Sequence, residues 1–192
     1  SGIAQIILQS DNKIVAVGSV SSPTISDFAI ARYNEDGTPD STFNFTGRTS
    51  IDFLSLIDRA NAVAIDAAGK IYVGGNSASS SEVQHFRVAR FNTNGTMDSA
   101  YNGGTGTVLA VFGINKDLDG SIIAAGHTNL NNANGNIQLI HINLNGAVDT
   151  TFGNKGLLIA GAETENDESE FLVIGSGGKI LTGGANSQPG LP

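Results

Sequence analysis

The feature of this chain that most restricts its fold is an internal repeat built from two interleaved motifs. The first motif occurs three times, as DFAIARYNEDGTPDSTFN from Asp27, HFRVARFNTNGTMDSAYN from His85 and NIQLIHINLNGAVDTTFG from Asn136. The second motif occurs four times, as SDNKIVAVGS, AAGKIYVGGN, LDGSIIAAGH and SGGKILTGGA. Since both motifs advance along the chain by nearly the same intervals, they indicate tandem structural units rather than biased composition.

We divide the chain into one repeat domain, residues 1–192, with units at approximately 1–53, 54–112, 113–161 and a partial 162–192. Large apolar residues stand at every second position of segments such as FAIARYN and FRVARFN, which predicts strands. Pairs containing Gly or Asn lie between these runs and predict hairpins with primed two-residue turns. Each full unit then holds four strands and the last unit holds two. The predicted fold class is therefore all-β, with tandem four-stranded antiparallel sheets.

A four-stranded sheet of this composition cannot bury both of its faces alone, so neighbouring units are expected to stack. Four strands in a repeat of this length are typical of a β-propeller blade. We therefore predict a β-propeller, or part of one, in which the last blade is incomplete. A linear β-solenoid ranks second because its units are usually shorter, and a β-sandwich ranks third because it requires no internal repeat.

Composition excludes several classes of protein. The formal net charge of −8 argues against a nucleic-acid partner. The absence of cysteine excludes disulfides, thiolate metal sites and cysteine nucleophiles. No apolar run reaches the length of about 18 residues that a membrane-spanning helix needs. Because the chain has no initiating Met, we expect it to be a piece of a longer protein.

The combined pattern resembles the delta-60 repeat, a bacterial β-propeller repeat of uncharacterised function. The best local matches are residues 13–18, 28–43, 70–75 and 86–101, and the resemblance covers essentially the whole chain. It implies an extracellular location or the bacterial cell surface, and it brings no catalytic residues. The third unit departs from the pattern, because His141 stands where the first two units have Arg32 and Arg90.

Residues that recur at fixed repeat positions are expected to hold each unit together. An Arg–Asp pair would join the strand before the turn to the segment after it; the alternative is a ring of guanidinium groups that binds an anionic ligand. The aromatic residues of the first motif are expected to be packing anchors. The structural repeat positions are Gly18, Gly75, Gly126, Gly184, Arg32, Arg90, Gly37, Gly95, Gly146, Asp40, Asp98, Asp149, Phe43, Tyr101 and Phe152.

We expect no catalytic residue, cofactor or metal ion, with calcium as the alternative. The segment NKDLDG, residues 115–120, matches the first half of an EF-hand loop, but Gly126 stands where that loop needs Glu. An acidic stretch before the fourth unit is explained better as a solvated loop than as a weak divalent-cation site or a contact for a basic partner. The three histidines, His85, His127 and His141, lack a metal-ligand spacing. The metal candidates are Asp117, Asp119, Glu163, Glu165 and Asp167.

Three functions remain open. The favoured one is a non-catalytic extracellular or cell-surface module that binds a protein, or itself, through exposed sheet edges. The second is a self-assembling surface protein, a ring or a filament, whose last blade is completed by strands from a neighbour. For the incomplete blade, we expect closure by the missing part of a longer chain first and closure by a neighbouring subunit second. The third is a secreted glycan-active enzyme with carboxylates at the propeller axis, for which Asp66, Asp117 and Asp119 are the candidates.

Overall fold

The computed structural model describes residues 2–53, 57–78, 84–101, 105–107, 110–127, 136–160, 166–167 and 169–187. Every regular element in these ranges is a β-strand, which confirms the predicted all-β fold class. Within the same ranges, no helix has the length and apolar character required to cross a membrane.

Three four-stranded antiparallel sheets follow one another along the chain. The first sheet contains β1 (Gly2–Leu8), β2 (Ile14–Ser21), β3 (Ser26–Tyr33) and β4 (Arg48–Ile51). The second contains β5 (Ile57–Ile65), β6 (Ile71–Ala78), β7 (Gln84–Phe91) and β8 (Thr105–Thr107). The third contains β9 (Ala110–Lys116), β10 (Ile122–His127), β11 (Ile137–Ile142) and β12 (Leu157–Ala160). One parallel bridge, between Ser26 and Ile57, joins the first sheet to the second, so that these two form one continuous eight-stranded hydrogen-bonded array.

The described part of the fourth unit is smaller. Its main element is the hairpin of β14 (Phe171–Ile174) and β15 (Ile180–Gly183). The short strands β13 (Asn166–Asp167) and β16 (Asn186–Ser187) pair separately. In the residues that can be described, the fourth unit thus contains two separate two-stranded sheets, and we call the β14–β15 hairpin the fourth sheet. The assignment of all four units to one domain stays a prediction.

The sheets stack face to face, and we call the two faces of each sheet back, toward the preceding sheet, and front, toward the following one. The first interface is formed by the buried residues Val15, Val17, Phe28, Ile30, Phe43, Ala60, Val63, Ile71, Val73, Ala89 and Phe91. The second is formed by Ala62, Ala64, Tyr72, Phe86, Val88, Tyr101, Val111, Ile114, Ile122, Ala124, Ile140 and Ile142. The third is formed by Ile123, Ala125, Leu139 and Leu172. Successive residues of a strand, such as Ile71 and Tyr72, pack in the interfaces on opposite faces of the sheet. The second and third sheets are therefore covered on both faces.

The first hairpin of each full unit differs from the predicted turn type. The backbone N–H of Asn12 donates to the carbonyl of Gln9, and Asn12 alone in its turn has a positive φ, of 64°. Gly69 and Gly120 take the same place in their sheets, with φ of 77° and 92°. Primed two-residue turns were therefore wrong for these hairpins, which have three-residue loops ending in a left-handed residue.

The glycine of the first motif occupies the same kind of turn in all three full sheets. Gly37, Gly95 and Gly146 have φ of 82°, 82° and 90°. Each donates its N–H to the carbonyl of the asparagine three residues before it. A left-handed φ at this point favours glycine because residues with a Cβ are strained in that backbone conformation.

Glycine is required in the second motif for a different reason, because this position lies opposite a β-bulge. The register of β1 and β2 shifts between Ile3 and Gln5, and that of β5 and β6 shifts between Ala60 and Ala62. A Cβ added to Gly18 would lie 2.0 Å from the carbonyl oxygen of Gly2, and one added to Gly75 would lie 1.9 Å from that of Arg59. The bulge brings backbone so close that only glycine fits. In the third sheet the shift falls at Gly126 itself, and Gly184 is exposed directly after β15.

Candidate functional site

The repeated polar residues form a cluster, which we call the turn cluster, beside the second hairpin turn of the first sheet. Nε of Arg32 donates to Oδ2 of Asp40 at 2.7 Å, and Nζ of Lys13 donates to the same oxygen at 2.9 Å. Oδ1 of Asp40 accepts hydrogen bonds from the backbone and hydroxyl of Thr42. The Phe43 ring centroid lies 4.7 Å from the guanidinium carbon of Arg32. Burial alone would raise the pKa of Asp40, but the bonds from Thr42, Lys13 and Arg32 outweigh it and hold that pKa well below its usual value.

The second sheet repeats the turn cluster. Nε of Arg90 donates to Oδ2 of Asp98 at 2.9 Å, and Nζ of Lys70 donates to the same oxygen. The Tyr101 ring centroid lies 4.5 Å from the guanidinium carbon of Arg90. The hydrogen bond from Lys70 is the largest cause that lowers the pKa of Asp98 below its usual value. The two sheets therefore share one arrangement of two cations, one carboxylate and one aromatic ring.

Each arginine also links its sheet to the next one. Nη1 of Arg32 donates to the carbonyl of Thr93, in a turn of the second sheet, at 2.6 Å. Nη1 of Arg90 donates to the carbonyl of Leu144, in the matching turn of the third sheet, at 2.8 Å. Because Arg32 is only 6% exposed and its donors are engaged by protein oxygens, these contacts argue against a ring of guanidinium groups open to an anionic ligand. The structural role of these positions stays a prediction.

The third sheet keeps the carboxylate of the turn cluster and replaces both cations. Ser121 stands at the place of Lys13 and Lys70, and His141 stands at the place of the arginines. Nδ1 of His141 lies 2.9 Å from Oδ2 of Asp149, and Nε2 lies 2.5 Å from Oγ of Ser121. Oγ of Ser121 also donates to Oδ1 of Asp119 at 2.5 Å. A continuous hydrogen-bonded series thus runs from Asp119 through Ser121 and His141 to Asp149, next to the Phe152 ring.

This series contains the residue types of a Ser–His–Asp triad, but its geometry does not favour a nucleophile. Ser121 is 2% exposed, and its single hydroxyl proton is directed to the Asp119 carboxylate. If His141 carries both ring protons, it donates to Asp149 and to Ser121, and every contact in the series is satisfied. A general base must instead be neutral and accept the serine proton. The hydrogen bonds of the series therefore fit a structural contact better than a nucleophile with its base.

Part of the predicted metal set comes together at this cluster. One ligand atom from each of Asp117, Asp119 and His141 lies within 4.8 Å of the others. Oδ1 of Asp119 is already engaged by the hydroxyl and backbone N–H of Ser121, and the hydroxyl bond is the largest cause that lowers the pKa of Asp119. Glu163 and Glu165 lie outside the described residues, and only the backbone of Asp167 is described. Calcium at these positions stays a prediction.

The remaining candidates lie apart from this cluster. Oδ1 of Asp66 accepts from the backbone of Lys70, and its Oδ2 accepts from the Tyr72 hydroxyl, so both contacts stay within the second sheet. His85 lies on β7, and the ring of His127, at the end of β10, stacks on Phe112 with centroids 4.9 Å apart.

Sequence reasoning missed a second carboxylate group, which we call the inter-sheet acidic cluster. Asp27 on β3, Asp52 just after β4 and Asp58 on β5 each place an oxygen within 4.8 Å of the other two. Asp58 is fully buried, and burial, followed by the charges of Asp52 and Asp27, raises its pKa. No local motif marks these residues, because they come from three segments that meet only where the first two sheets stack.

Comparison with known families agrees with the repeat geometry. A family model described as a domain of unknown function (DUF5122) β-propeller matches residues 9–43, 69–109 and 118–152, together more than half of the chain. A search of curated proteins gives no match. Each matched segment contains a second motif followed by a first motif, and hence the residues of one turn cluster. The chain belongs to the DUF5122 β-propeller family.

Proposed function

We propose that this β-propeller domain is a non-catalytic structural or interaction module of the extracellular space or bacterial cell surface, and that its units are delta-60 repeats. The fixed spacing of the two motifs supports the delta-60 assignment, and the same resemblance supports the location. A non-catalytic role is supported by the turn clusters, whose charged groups bind one another and the neighbouring sheet.

The observation that carries an interaction role is the exposure of the back face of the first sheet. Ile6 on β1 is 63% exposed. By strand register, the matching residues are Val63 on β5 and Ile114 on β9, which are 3% and 6% exposed. The same repeat position is therefore buried wherever a preceding sheet covers it. Covering a large aliphatic side chain is worth about 1.5–3 kcal/mol, so this face favours a partner.

The front face of the fourth sheet has the complementary property. Leu181 is 62% exposed, whereas the matching residues of the other three sheets, Val15, Tyr72 and Ile123, are at most 1% exposed. Phe171 and Val173 of the same hairpin are also about half exposed. One end of the stack thus presents an uncovered front and the other an uncovered back.

A second copy of the chain is the partner that best fits these two faces. Within the chain, the front of one sheet always meets the back of the next, and a copy would repeat that contact between molecules. Because the two faces differ, the contact is head-to-tail and leads to a ring or an open filament. Strands from the neighbour that complete the fourth sheet would extend the same interface.

The experiment is size-exclusion chromatography with light scattering over a wide range of protein concentration. Ile6→Asp blocks the back face and Leu181→Asp blocks the front face. Met97→Asp, at an exposed residue that follows the second hairpin turn of the second sheet, is the matched control. We expect the wild type and the control to gain mass with concentration. Each face variant alone should stay monomeric, and a mixture of the two should stop at dimers, because one free front and one free back remain.

A wild type that stays monomeric at high concentration, or association that both face variants leave unchanged, would overturn the self-association proposal. Cleavage of a soluble polysaccharide that Asp66→Asn or Asp117→Asn abolishes would overturn the non-catalytic role and favour a glycan-active enzyme.

A further inference from the structure

The inter-sheet acidic cluster contains buried oxygens that no hydrogen bond satisfies. Asp58 is 0% exposed; its Oδ2 accepts from the backbone N–H of Phe53 at 2.8 Å, while its Oδ1 has no partner. A buried oxygen of Asp27, Oδ1, also has no partner. Leaving a buried polar group unsatisfied costs about 1–3 kcal/mol, and more for a charged one. The site is therefore incomplete without a further group that these oxygens can bind.

A neutral oxygen joins the carboxylates from the neighbouring strand. Ser77 on β6 lies directly opposite Asp58 on β5 in the antiparallel register, so both side chains project from the same face of the second sheet. Ser77 is 0% exposed, and its Oγ has no hydrogen-bond partner. Three unsatisfied buried oxygens, from Asp27, Asp58 and Ser77, thus belong to one place between the first two sheets.

The charges at this place favour a divalent cation. Among the described residues, the cationic side chain whose charge acts on Asp58 is Arg87, and its guanidinium carbon lies 5.6 Å from the Phe53 ring centroid. One guanidinium against three carboxylates leaves two negative charges in excess. Like charges at such short range repel unless a cation or a proton lies between them.

The kind and separation of these oxygens are compatible with calcium. Ca²⁺ binds carboxylate, hydroxyl and carbonyl oxygens at about 2.3–2.6 Å, so two of its ligands lie at most roughly 5 Å apart. The carboxylate oxygens of this cluster lie within 4.8 Å of one another. Mg²⁺ usually keeps several waters and is held by only one or two carboxylates, so a ligand set of three carboxylates and a hydroxyl favours Ca²⁺.

We propose that Asp27, Asp52 and Asp58, together with the Ser77 hydroxyl, bind one Ca²⁺ ion that joins the first sheet to the second. Asp27 and Asp52 belong to the first sheet, Asp58 and Ser77 to the second, so the ion would bridge two sheets close to the parallel bridge between Ser26 and Ile57. Asp52 is exposed, which gives the ion a route from solvent. This site differs from the predicted metal residues of the third sheet.

The test is a titration of the metal-free chain with CaCl₂ by calorimetry, alongside thermal unfolding in calcium and in chelator. We expect one Ca²⁺ per chain and a melting temperature that rises with calcium concentration. Asp52→Asn, at an exposed position that should leave folding intact, is expected to weaken binding at least tenfold, and Asp58→Asn to abolish it. Asp117→Asn, the same change in the third sheet, is the matched control and should bind as the wild type does.

Absence of binding heat and of a melting shift at millimolar calcium would overturn the proposal. Binding that Asp117→Asn removes and Asp52→Asn preserves would also overturn it, because the ion would then belong to the third sheet. Calorimetry measures calcium binding, whereas light scattering measures self-association of the chain. A chain that fails to bind calcium can therefore be distinguished from one that fails to assemble.

Discussion

At the scale of single residues, the turn cluster depends on one carboxylate. In the first sheet, both oxygens of Asp40 are occupied, one by Thr42 and the other by Arg32 and Lys13. Asp40 and Arg32 are 3% and 6% exposed, so water cannot readily replace either partner. Removing one member of a buried ion pair is costly because it leaves the other charge buried without compensation.

We predict that Asp40→Asn lowers the free energy of unfolding by about 3 kcal/mol, since Arg32 then remains buried without its counter-charge. Urea unfolding followed by circular dichroism measures the change. Glu35→Gln, at an exposed residue in the neighbouring turn, removes the same charge from the surface and should alter stability by less than about 0.5 kcal/mol. Equal effects of the two substitutions would contradict a structural role for the turn cluster.

At the scale of the strands, the glycines of the two motifs are required for different physical reasons. Gly75 faces the backbone of Arg59 across a bulge, and a Cβ there would also lie 2.8 Å from the ring of Phe28. Gly37 has a positive φ of 82°, but nothing lies within 4 Å of its Cβ position. The first glycine is needed for space and the second for backbone conformation.

We therefore predict that Gly75→Ala destabilises the protein by at least about 2–3 kcal/mol, because backbone atoms must move to admit the methyl group. Gly37→Ala should cost only about 1 kcal/mol, the penalty of a left-handed non-glycine residue. Midpoints of thermal unfolding for the two variants and the wild type test this order. A larger loss for Gly37→Ala would show that conformation outweighs the close contact.

How far the sequence alone could predict these elements depends on how local their causes are. The strands and the stacking of the sheets were predictable, because the alternation of apolar residues and the length of the repeat can be read directly from the sequence. The hairpin turn type was not, because a pair such as Asp11 and Asn12 suits both a primed turn and a three-residue loop. The replacement of lysine by Ser121 was visible in the aligned motifs, but its bond to His141 depends on strand register. The inter-sheet acidic cluster needed the packing of two sheets to bring Asp27 and Asp58 together.

At the scale of the whole molecule, acidic side chains couple stability to pH. Hydrogen bonds and ion pairs lower the pKa of five carboxyl groups: Asp36, Asp40, Asp98, Asp119 and Asp149. The bond from Thr151 is the largest cause that lowers the pKa of Asp149 to about 2, from a usual value of 3.8. At a pH between the lowered pKa of such a group in the folded chain and its usual value in the unfolded chain, the unfolded chain binds more protons. The free energy of unfolding therefore falls as the pH falls through this range. Asp58 is one group with a raised pKa, so its own contribution to the free energy of unfolding increases as the pH falls.

We predict that the free energy of unfolding is nearly constant from pH 7 to about pH 5 and then decreases steadily between about pH 4 and pH 2. Urea unfolding at a series of pH values measures the decrease. In Asp40→Asn the decrease should be smaller, because one of the groups with a lowered pKa is gone. Stability that holds or rises down to pH 2 would contradict the assignment of these hydrogen bonds to the folded state.

The front-to-back order of the sheets has a consequence for how such a gene can change. In the described part of the chain, each interior sheet packs against its two neighbours through the same pair of faces. Duplication or deletion of one whole unit would therefore create a junction of the kind already present and disturb no other contact. Recombination between the repeats could lengthen or shorten the protein in steps of one blade, and the loss of half a unit would be the damaging event.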